Sequence, residues 1–172
     1  MIPHLQVRTG GVLFVYRAGA VALDGGRVLI HRAEGDEFWA LPGGRVQAGE
    51  TAREALVREI HEEIGTPAGV AGRLLFIVEN FFEHWPLDRG PDGGEKISHH
   101  ELGLYFEVGL PDDVTAIPSF SGVEEGGARP LRLEFEWVPL DALPAVDMRP
   151  VVLRDALAAE VPVAPRLLVS RD

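Results

Sequence analysis

Three glutamates lie close together in the stretch REIHEEIG, residues 58–65, and their spacing raises a question of charge. If the stretch is helical, Glu59 and Glu63 are stacked one turn apart with Glu62 beside them. Like charges at that spacing destabilise a helix, and the C-terminal end of a helix disfavours anions. On a helix the three carboxylates fall within an arc of about 100°, so they point in a common direction.

Two explanations account for this acidic cluster. A hard divalent cation such as Mg²⁺ or Mn²⁺ takes oxygen ligands and would turn the repulsion between Glu59, Glu62 and Glu63 into shared attraction. The simpler alternative is a solvated acidic face with no ligand. The three residues alone leave both explanations open, so the surrounding sequence has to decide between them.

The element that carries the cluster is predicted to be a helix over residues 51–64. Thr51 and Glu54 form a capping box at its start, and Gly65 is suited to end it. Apolar residues recur at every fourth position and would make one buried stripe. The stripe consists of Ala52, Leu56, Ile60 and Ile64.

Strands are predicted on both sides of this helix. They cover residues 12–16, 20–23, 28–31, 74–78, 102–108 and 133–138, and a hairpin turn at 24–26 joins the second and third. Residues 39–50 have the glycine and proline density of a shaped loop. A long loop is predicted over residues 83–100, and a late helix over 149–159. This order favours an α/β fold, with helices packed on a mixed sheet.

Composition narrows the class of protein. The chain has 172 residues, no cysteine and a formal net charge of -11. The length fits a single domain, and the absence of cysteine excludes disulfides and thiolate metal sites. No signal peptide or membrane span is apparent, so we expect a cytoplasmic protein. The negative charge repels phosphate backbones, so we expect no nucleic-acid polymer as partner.

The stretch around the glutamates resembles a known signature. From residue 44 the chain reads GRVQAGETAREALVREIHEEIGT, which closely resembles the Nudix box of the Nudix hydrolases. Each fixed polar or glycine position is matched, and the one departure is Thr66, where an aliphatic residue is usual. The preceding WALPG is also similar to many family members.

The resemblance implies a fold, an activity and a cofactor. The implied fold is an α/β/α sandwich around a mixed sheet, in a single Nudix domain over residues 1–172. The implied activity is hydrolysis of a nucleoside diphosphate linked to another moiety X, by attack of water at phosphorus, with Mg²⁺ or Mn²⁺ as cofactor. The partner would be that small substrate, and a homodimer is compatible with the family.

The resemblance also implies roles for residues of the box. Glu59, Glu62 and Glu63 would be metal ligands together with the backbone carbonyl of Gly43. Glu62 or Glu59 is the first candidate for the base that takes a proton from water. Arg58 and Glu50 would pair and orient the ligand side chains, and these last two residues are therefore expected to be structural.

Further residues are expected to complete the site. Glu101, just before a predicted strand, is the leading candidate for a further catalytic base, and the pair Glu124/Glu125 is the alternative. Arg32 and Arg45 are candidates for binding substrate phosphates. The alternative for each is an ordinary surface residue.

Aromatic and histidine residues suggest two weaker hypotheses. The segment Asn80-Phe81-Phe82 with Trp85 could stack a nucleobase, although packing in the core or a loop explains it as well. Zinc binding by histidines is disfavoured because their spacing matches no recognised site. These histidines are His84, His99 and His100.

Competing functions are a non-catalytic nucleotide-ligand sensor and an isoprenoid diphosphate isomerase. The isomerase would need an active-site cysteine, which the chain lacks. A sensor usually has eroded ligand positions or an attached DNA-binding domain, and neither is apparent. Dinucleoside polyphosphates, nucleotide sugars, oxidised nucleoside triphosphates and ADP-ribose all remain open as substrates.

Overall fold

The computed structural model describes residues 3–66, 71–84, 96–124 and 130–171. Within these ranges the strands are β1 (Gln6–Thr9), β2 (Val12–Asp24), β3 (Arg27–Ala33), β4 (Gly43–Arg45), β5 (Ala71–His84), β6 (Ile97–Val108), β7 (Ser119–Glu124), β8 (Leu131–Pro139) and β9 (Arg166–Ser170). The helices are α1 (Ala52–Ile64), the short α2 (Asp112–Thr115), a 3-10 helix (Leu140–Ala145) and α3 (Val151–Ala159).

The sheet is mixed and is organised around β2. Its order is β7-β8-β3-β2-β6-β5-β9, with β1 and β4 also paired to β2. β2 is parallel to β6, and β9 is parallel to β5, whereas the other pairs are antiparallel. Along its other edge β2 pairs with β1, then β4, then β3. The middle of β2 therefore lies beside the glycines that lead into α1.

Helix α1 covers one face of the sheet and begins and ends as predicted. Thr51 and Glu54 form the capping box, and Gly65 ends the helix with a φ of 77°, a left-handed conformation that favours glycine. Leu56 and Ile60 are fully buried against apolar residues of β2 and β6. Burying a side chain of this size contributes about 1.5–3 kcal/mol, so this face fixes the helix on the sheet.

Helix α3 covers the opposite face. Leu153 and Leu157 are buried in a second apolar cluster with Ile30 of β3 and Phe76 of β5. Helices thus pack on both faces of a mixed sheet, which is the predicted α/β/α sandwich. None of the helices in these described ranges is long and apolar enough to cross a lipid bilayer.

Several predicted boundaries were wrong. The strands predicted at 12–16 and 20–23 are one strand, because the charged Arg17 between them projects from a continuous β2. The predicted loop over 83–100 was too long, since β5 extends to His84 and β6 starts at Ile97. Stacking of Phe82 on His99, with ring centroids 4.8 Å apart, extends this hairpin. The turn predicted at 24–26 is confirmed, because β2 ends at Asp24 and β3 begins at Arg27.

Candidate functional site

Helix α1 places its three glutamates in different environments. Glu59 and Glu63 are buried, with 8% and 4% of their surface exposed, whereas about half of the Glu62 side chain is exposed. Burial raises the pKa of Glu59 above its ordinary value, although its hydrogen bond from Arg58 opposes the shift. Two carboxylates therefore lie inside the protein, and the third lies at the solvent edge.

Arg58 binds three carboxylates at once. Its Nη1 donates to Glu59 Oε1 at 2.7 Å and to Glu62 Oε2 at 3.1 Å, while its Nη2 donates to Glu50 Oε1 at 2.7 Å. The hydrogen bond to Glu50 raises the pKa of Arg58 despite the opposing effect of burial. The expected pairing of Arg58 with Glu50 is therefore present, and it ties the start of α1 to its acidic end.

The glycines of β4 allow close approach to the carboxylates. A Cβ atom on Gly44 would lie 2.2 Å from the carboxyl carbon of Glu59, and one on Gly43 would lie 2.3 Å from the carbonyl oxygen of Ala18. The amide of Gly43 donates to Glu63 Oε2 at 3.2 Å. Any side chain at position 44 would displace Glu59, so glycine is required there to keep the carboxylates against the backbone.

Arg17 is a site residue that the sequence prediction missed. Its Nη2 donates to the carbonyl oxygen of Gly43 at 2.5 Å. Burial alone would lower the pKa of Arg17, but the negative charges of Glu101, Glu63 and Glu59 contribute to raising it. The available signal was a charged residue inside an otherwise apolar strand, because such a residue needs a partner if it is buried.

Glu101 lies within β6 and not before a strand as predicted, because β6 starts at Ile97. Its register partners are Val15 of β2 and Asn80 of β5. Glu101 shares a sheet face with Tyr105, since side chains alternate along a strand. The structure thus brings Glu101 towards Arg17, and through Arg17 towards the box.

The ring of Tyr105 lies over two glycines of the sheet. A Cβ atom on Gly19 would lie 2.4 Å from the ring, and one on Gly103 would lie 2.7 Å from it. Gly103 is the register partner of Arg17, so the ring lies beside that guanidinium. Burial raises the pKa of Tyr105, and the charge of Glu101 adds to the shift. The phenol of Tyr105 is therefore neutral at pH 7, and it lies beside Arg17 and Glu101.

His31 is a second residue that the prediction missed. It is 8% exposed, and its Nδ1 lies 3.9 Å from Glu63 Oε1 without a hydrogen-bond partner. Burial, with the nearby charge of Arg17, lowers the pKa of His31 to about 3. The imidazole is neutral at pH 7, so this contact is not an ion pair.

The two predicted phosphate-binding arginines occupy different surroundings. Arg32 donates to Glu134 at 2.8 Å and lies over the ring of Trp39, with its guanidinium carbon 4.5 Å from the ring centroid. It projects from the opposite side of β3 to His31, because neighbouring strand residues alternate. Arg45 is exposed at the end of β4, and its carbonyl accepts a hydrogen bond from Arg58. Arg45 thus lies next to the acidic cluster, and Arg32 does not.

The aromatic and histidine residues lie in the β5–β6 hairpin. Phe81 stacks on His100 at 4.3 Å and Phe82 on His99 at 4.8 Å between ring centroids. Consecutive residues of a strand point to opposite faces, so His99 and His100 cannot share one metal ion. Asn80 is buried in β5, and Trp85 lies outside the described residues.

Strand β7, which ends at one of the two alternative bases, lies close to the C-terminal end of α1. Glu124 is the last residue of β7, and Glu125 lies outside the described residues. A Cβ atom on Gly122 would lie 2.0 Å from the carbonyl oxygen of Glu63. Strand β7 therefore passes directly against the acidic end of the helix.

The donor atoms suit a hard divalent cation. The carboxylates of Glu59, Glu62 and Glu63 and the carbonyl of Gly43 are all oxygen donors, which Mg²⁺ and Mn²⁺ prefer. Burial penalises the charge on Glu59, and a cation would offset that penalty. Within the described ranges, no group of three or more histidine or carboxylate side chains is arranged to hold a metal ion in the present side-chain positions. The carboxylates bind Arg58 and the Gly43 amide instead, so they would have to reorient around a cation.

Comparison with known proteins identifies relatives over short stretches of the chain. The chain is 54% identical over 52 residues to an RNA pyrophosphohydrolase of Halorhodospira halophila (strain DSM 244 / SL1), covering 30% of this chain and 29% of that protein. It is 44% identical over 59 residues to an ADP-ribose pyrophosphatase of Methanocaldococcus jannaschii, covering 30% of this chain and 35% of that protein. The matches span about a third of the length of these curated relatives.

Solved structures share the fold over a longer stretch. A MutT protein from Methanosarcina mazei Go1 covers 85% of this chain and 91% of its own, with a TM-score of 0.56 and 20% identity. A UDP-X diphosphatase covers 90% of this chain and 66% of its own, with a TM-score of 0.51 and 19% identity. At this level of identity the similarity is one of fold.

A family model for the NUDIX domain matches residues 13–158. The match extends from β2 to α3 and includes the whole box region. The chain therefore belongs to the NUDIX domain family.

Proposed function

We propose that this protein is a divalent-cation-dependent pyrophosphohydrolase. It would cleave the diphosphate linkage of a small nucleoside diphosphate derivative, NDP-X, to give NMP and P-X. The observation that carries the proposal is the burial of Glu59 and Glu63 against the glycines of β4. Carboxylate oxygens held beside a backbone carbonyl are the donors that a hard divalent cation prefers. The names of the two curated relatives also describe hydrolysis of diphosphates.

Four residues would hold the cation. They are Glu59, Glu62 and Glu63 through their carboxylates, and Gly43 through its carbonyl. When bound, Mg²⁺ or Mn²⁺ would neutralise the diphosphate oxygens and make a water molecule more acidic. Arg58 and Glu50 would orient the ligand side chains, because Arg58 already binds Glu59 and Glu62. Side chains that hydrogen-bond to a metal ligand set the orientation of that ligand.

The reaction is an attack of water at phosphorus. The water oxygen forms a new bond to one phosphorus, the bridging P–O bond of the diphosphate breaks, and the leaving phosphate takes the bond electrons. A carboxylate accepts the proton from the water. Glu59 and Glu62 are the first candidates for this carboxylate, because they lie closest to the proposed cation. Glu101 remains the other candidate.

Arginine side chains of the protein would bind the phosphates of the substrate. Arg45 is exposed near the start of the box, and Arg17 lies between Gly43 and Glu101. Arg32 is the weaker candidate, because Glu134 and Trp39 already engage it. With a net charge of -11, the chain would attract a small phosphorylated ligand only where such cations gather locally.

A substrate panel tests this function and identifies X. It contains a dinucleoside polyphosphate, a nucleotide sugar, an oxidised nucleoside triphosphate, ADP-ribose and an RNA with a 5′-triphosphate, each with Mg²⁺ and with Mn²⁺. We expect cation-dependent formation of a nucleoside monophosphate from at least one small substrate, with chelation by EDTA abolishing it. Binding of these compounds without any turnover would favour the ligand sensor. Turnover of the RNA alone would contradict the assignment to small substrates.

A further inference from the structure

Arg17 places a second cation among the atoms proposed to hold the metal. Its Nη2 lies 2.5 Å from the carbonyl oxygen of Gly43. The carboxylates that raise its pKa belong to two different elements, β6 and α1. Arg17 is therefore held from several sides, in a position that the box sequence does not specify.

The contact with Gly43 sets Arg17 apart from Arg58. Arg58 donates to the carboxylates of Glu59 and Glu62, and both arginines are half-buried. Arg17 instead donates to the carbonyl that is proposed as a metal ligand. A divalent cation on the same oxygen would lie within a few ångströms of the guanidinium, and like charges at that distance repel more strongly in a partly buried site than in bulk water.

The geometry points to Arg17 as a built-in counter-ion that occupies the acidic site and competes with the divalent cation for it. The inference rests on the proposed function, because it assumes that Glu59, Glu63 and Gly43 form the metal site. Without metal, the guanidinium offsets part of the buried negative charge. With metal, Arg17 has to leave the Gly43 carbonyl. The affinity for metal is then lower than the carboxylates alone would give.

Titration with Mn²⁺ in the absence of substrate tests this competition. The variant Arg17→Met removes the charge while keeping a side chain of comparable length. We expect it to bind Mn²⁺ at least about fivefold more tightly than wild type, the lower range for a coupling between two binding events. The expected gain separates competition from a structural role, because a variant that merely damaged the site would bind more weakly.

Two matched variants accompany the titration. Arg17→Lys keeps the positive charge and should bind Mn²⁺ within about twofold of wild type. Arg45→Met removes an equal charge from the register partner of Arg17. Because Arg45 is exposed, solvent and salt screen its charge, and the affinity for Mn²⁺ should change by less than about twofold.

The outcomes separate this inference from the proposed function. Tighter binding in Arg17→Met than in wild type supports it. Mn²⁺ binding in wild type with equal or weaker binding in a folded Arg17→Met overturns the competition alone. Failure of both proteins to bind Mn²⁺ overturns the competition and the metal site together.

A second measurement uses wild type and does not depend on the variant folding. In crystals soaked with Mn²⁺, the separation between Arg17 Nη2 and the Gly43 oxygen should increase from 2.5 Å to beyond hydrogen-bonding distance. A metal bound to the glutamates with that hydrogen bond intact would overturn the competition.

Discussion

Two arginines organise the carboxylates of this site, and they do so by different routes. Arg58 binds Glu50, Glu59 and Glu62, which lie eight, one and four residues away along the chain. Arg17 binds Gly43, which lies 26 residues away, and interacts with Glu101 on another strand. The first assembly is a local consequence of a loop and a helix, whereas the second exists only because the sheet brings β2, β4 and β6 together.

The comparison assigns a different task to each assembly. The Arg58 assembly fixes the geometry of the helix and its loop, so its loss should cost stability. The Arg17 assembly adjusts the charge around the Gly43 carbonyl, so its changes should affect cation binding. The following predictions separate these tasks, beginning with the glutamates proposed as metal ligands.

The largest expected effect follows replacement of the glutamates proposed as metal ligands. Glu63→Gln and Glu62→Gln should each lower turnover by at least about 10³-fold and weaken Mn²⁺ binding, because a lost ligand disturbs both the water and the phosphate charge. Glu54→Gln is the matched control on the same helix, since glutamine retains the capping box. Turnover and calorimetry with Mn²⁺ measure the effect. Wild-type affinity for Mn²⁺ in the double variant Glu62→Gln/Glu63→Gln would refute the ligand assignment.

Removal of Arg58 should break the local assembly. Arg58→Met should lower the free energy of unfolding by about 3 kcal/mol, because it leaves mostly buried carboxylates without their cation. Urea unfolding measures this loss. Arg73→Met is the control, since Arg73 pairs with Glu107 in an exposed ion pair, and such pairs contribute about 0–1 kcal/mol. Equal losses in the two variants would show that Arg58 is no more than a surface cation.

Replacement of Glu101 probes the long-range assembly. Glu101→Gln should lower turnover at least about tenfold, which is the loss expected when a general base, or a group that orients one, gives modest assistance. Thermal stability should be nearly unchanged. Glu107→Gln, on the same strand but paired with Arg73, should retain full turnover. If Glu101→Gln keeps full activity and Glu125→Gln loses it, the base belongs to the segment that follows β7 in the sequence.

The smallest effect concerns pH. Burial alone would raise the pKa of Glu50, but hydrogen bonds from Arg58 and from the Gln47 amide lower it below the ordinary 4.5. A carboxyl with a lowered pKa stabilises the fold above its ordinary pKa, and this stabilisation is lost as the pH falls through the folded value. Glu50→Gln should therefore be less stable than wild type by about 1 kcal/mol at pH 7.

This difference should shrink as the pH falls below 4.5 and the carboxyl of Glu50 becomes protonated in the folded protein as well. Urea unfolding of both proteins at several pH values measures it. A difference that grows as the solution becomes more acidic would reverse the sign and contradict the pairing.

The sequence predicted the parts of the fold that depend on local patterns. The capping box at Thr51 and the apolar stripe of α1 follow from spacing within one segment, and the Arg58–Glu50 pair was implied by the resemblance to the Nudix box. Strands β4 and β9 were not predicted, because three and five residues carry little periodic signal. Glu101 was assigned to a loop end because the glycine and proline density of the preceding segment hid the start of β6.

The site itself was predicted only as far as the box extends. The role of Arg17 depends on its register with Gly103 and Arg45, which no local pattern contains. His31 meets Glu63 only because β3 passes the end of α1. Such contacts arise from sheet topology. A single sequence therefore shows which residue types are present, but not which of them come into contact.

Isotope labelling tests the central claim most directly. The substrate that is turned over best in the panel is hydrolysed in ¹⁸O-water with Mg²⁺, and both products are analysed by mass spectrometry. Attack at phosphorus predicts one ¹⁸O atom in a phosphate group of NMP or of P-X, and none in the sugar, the base or the remainder of X. Label found only in the sugar, the base or the non-phosphate part of X would contradict the account.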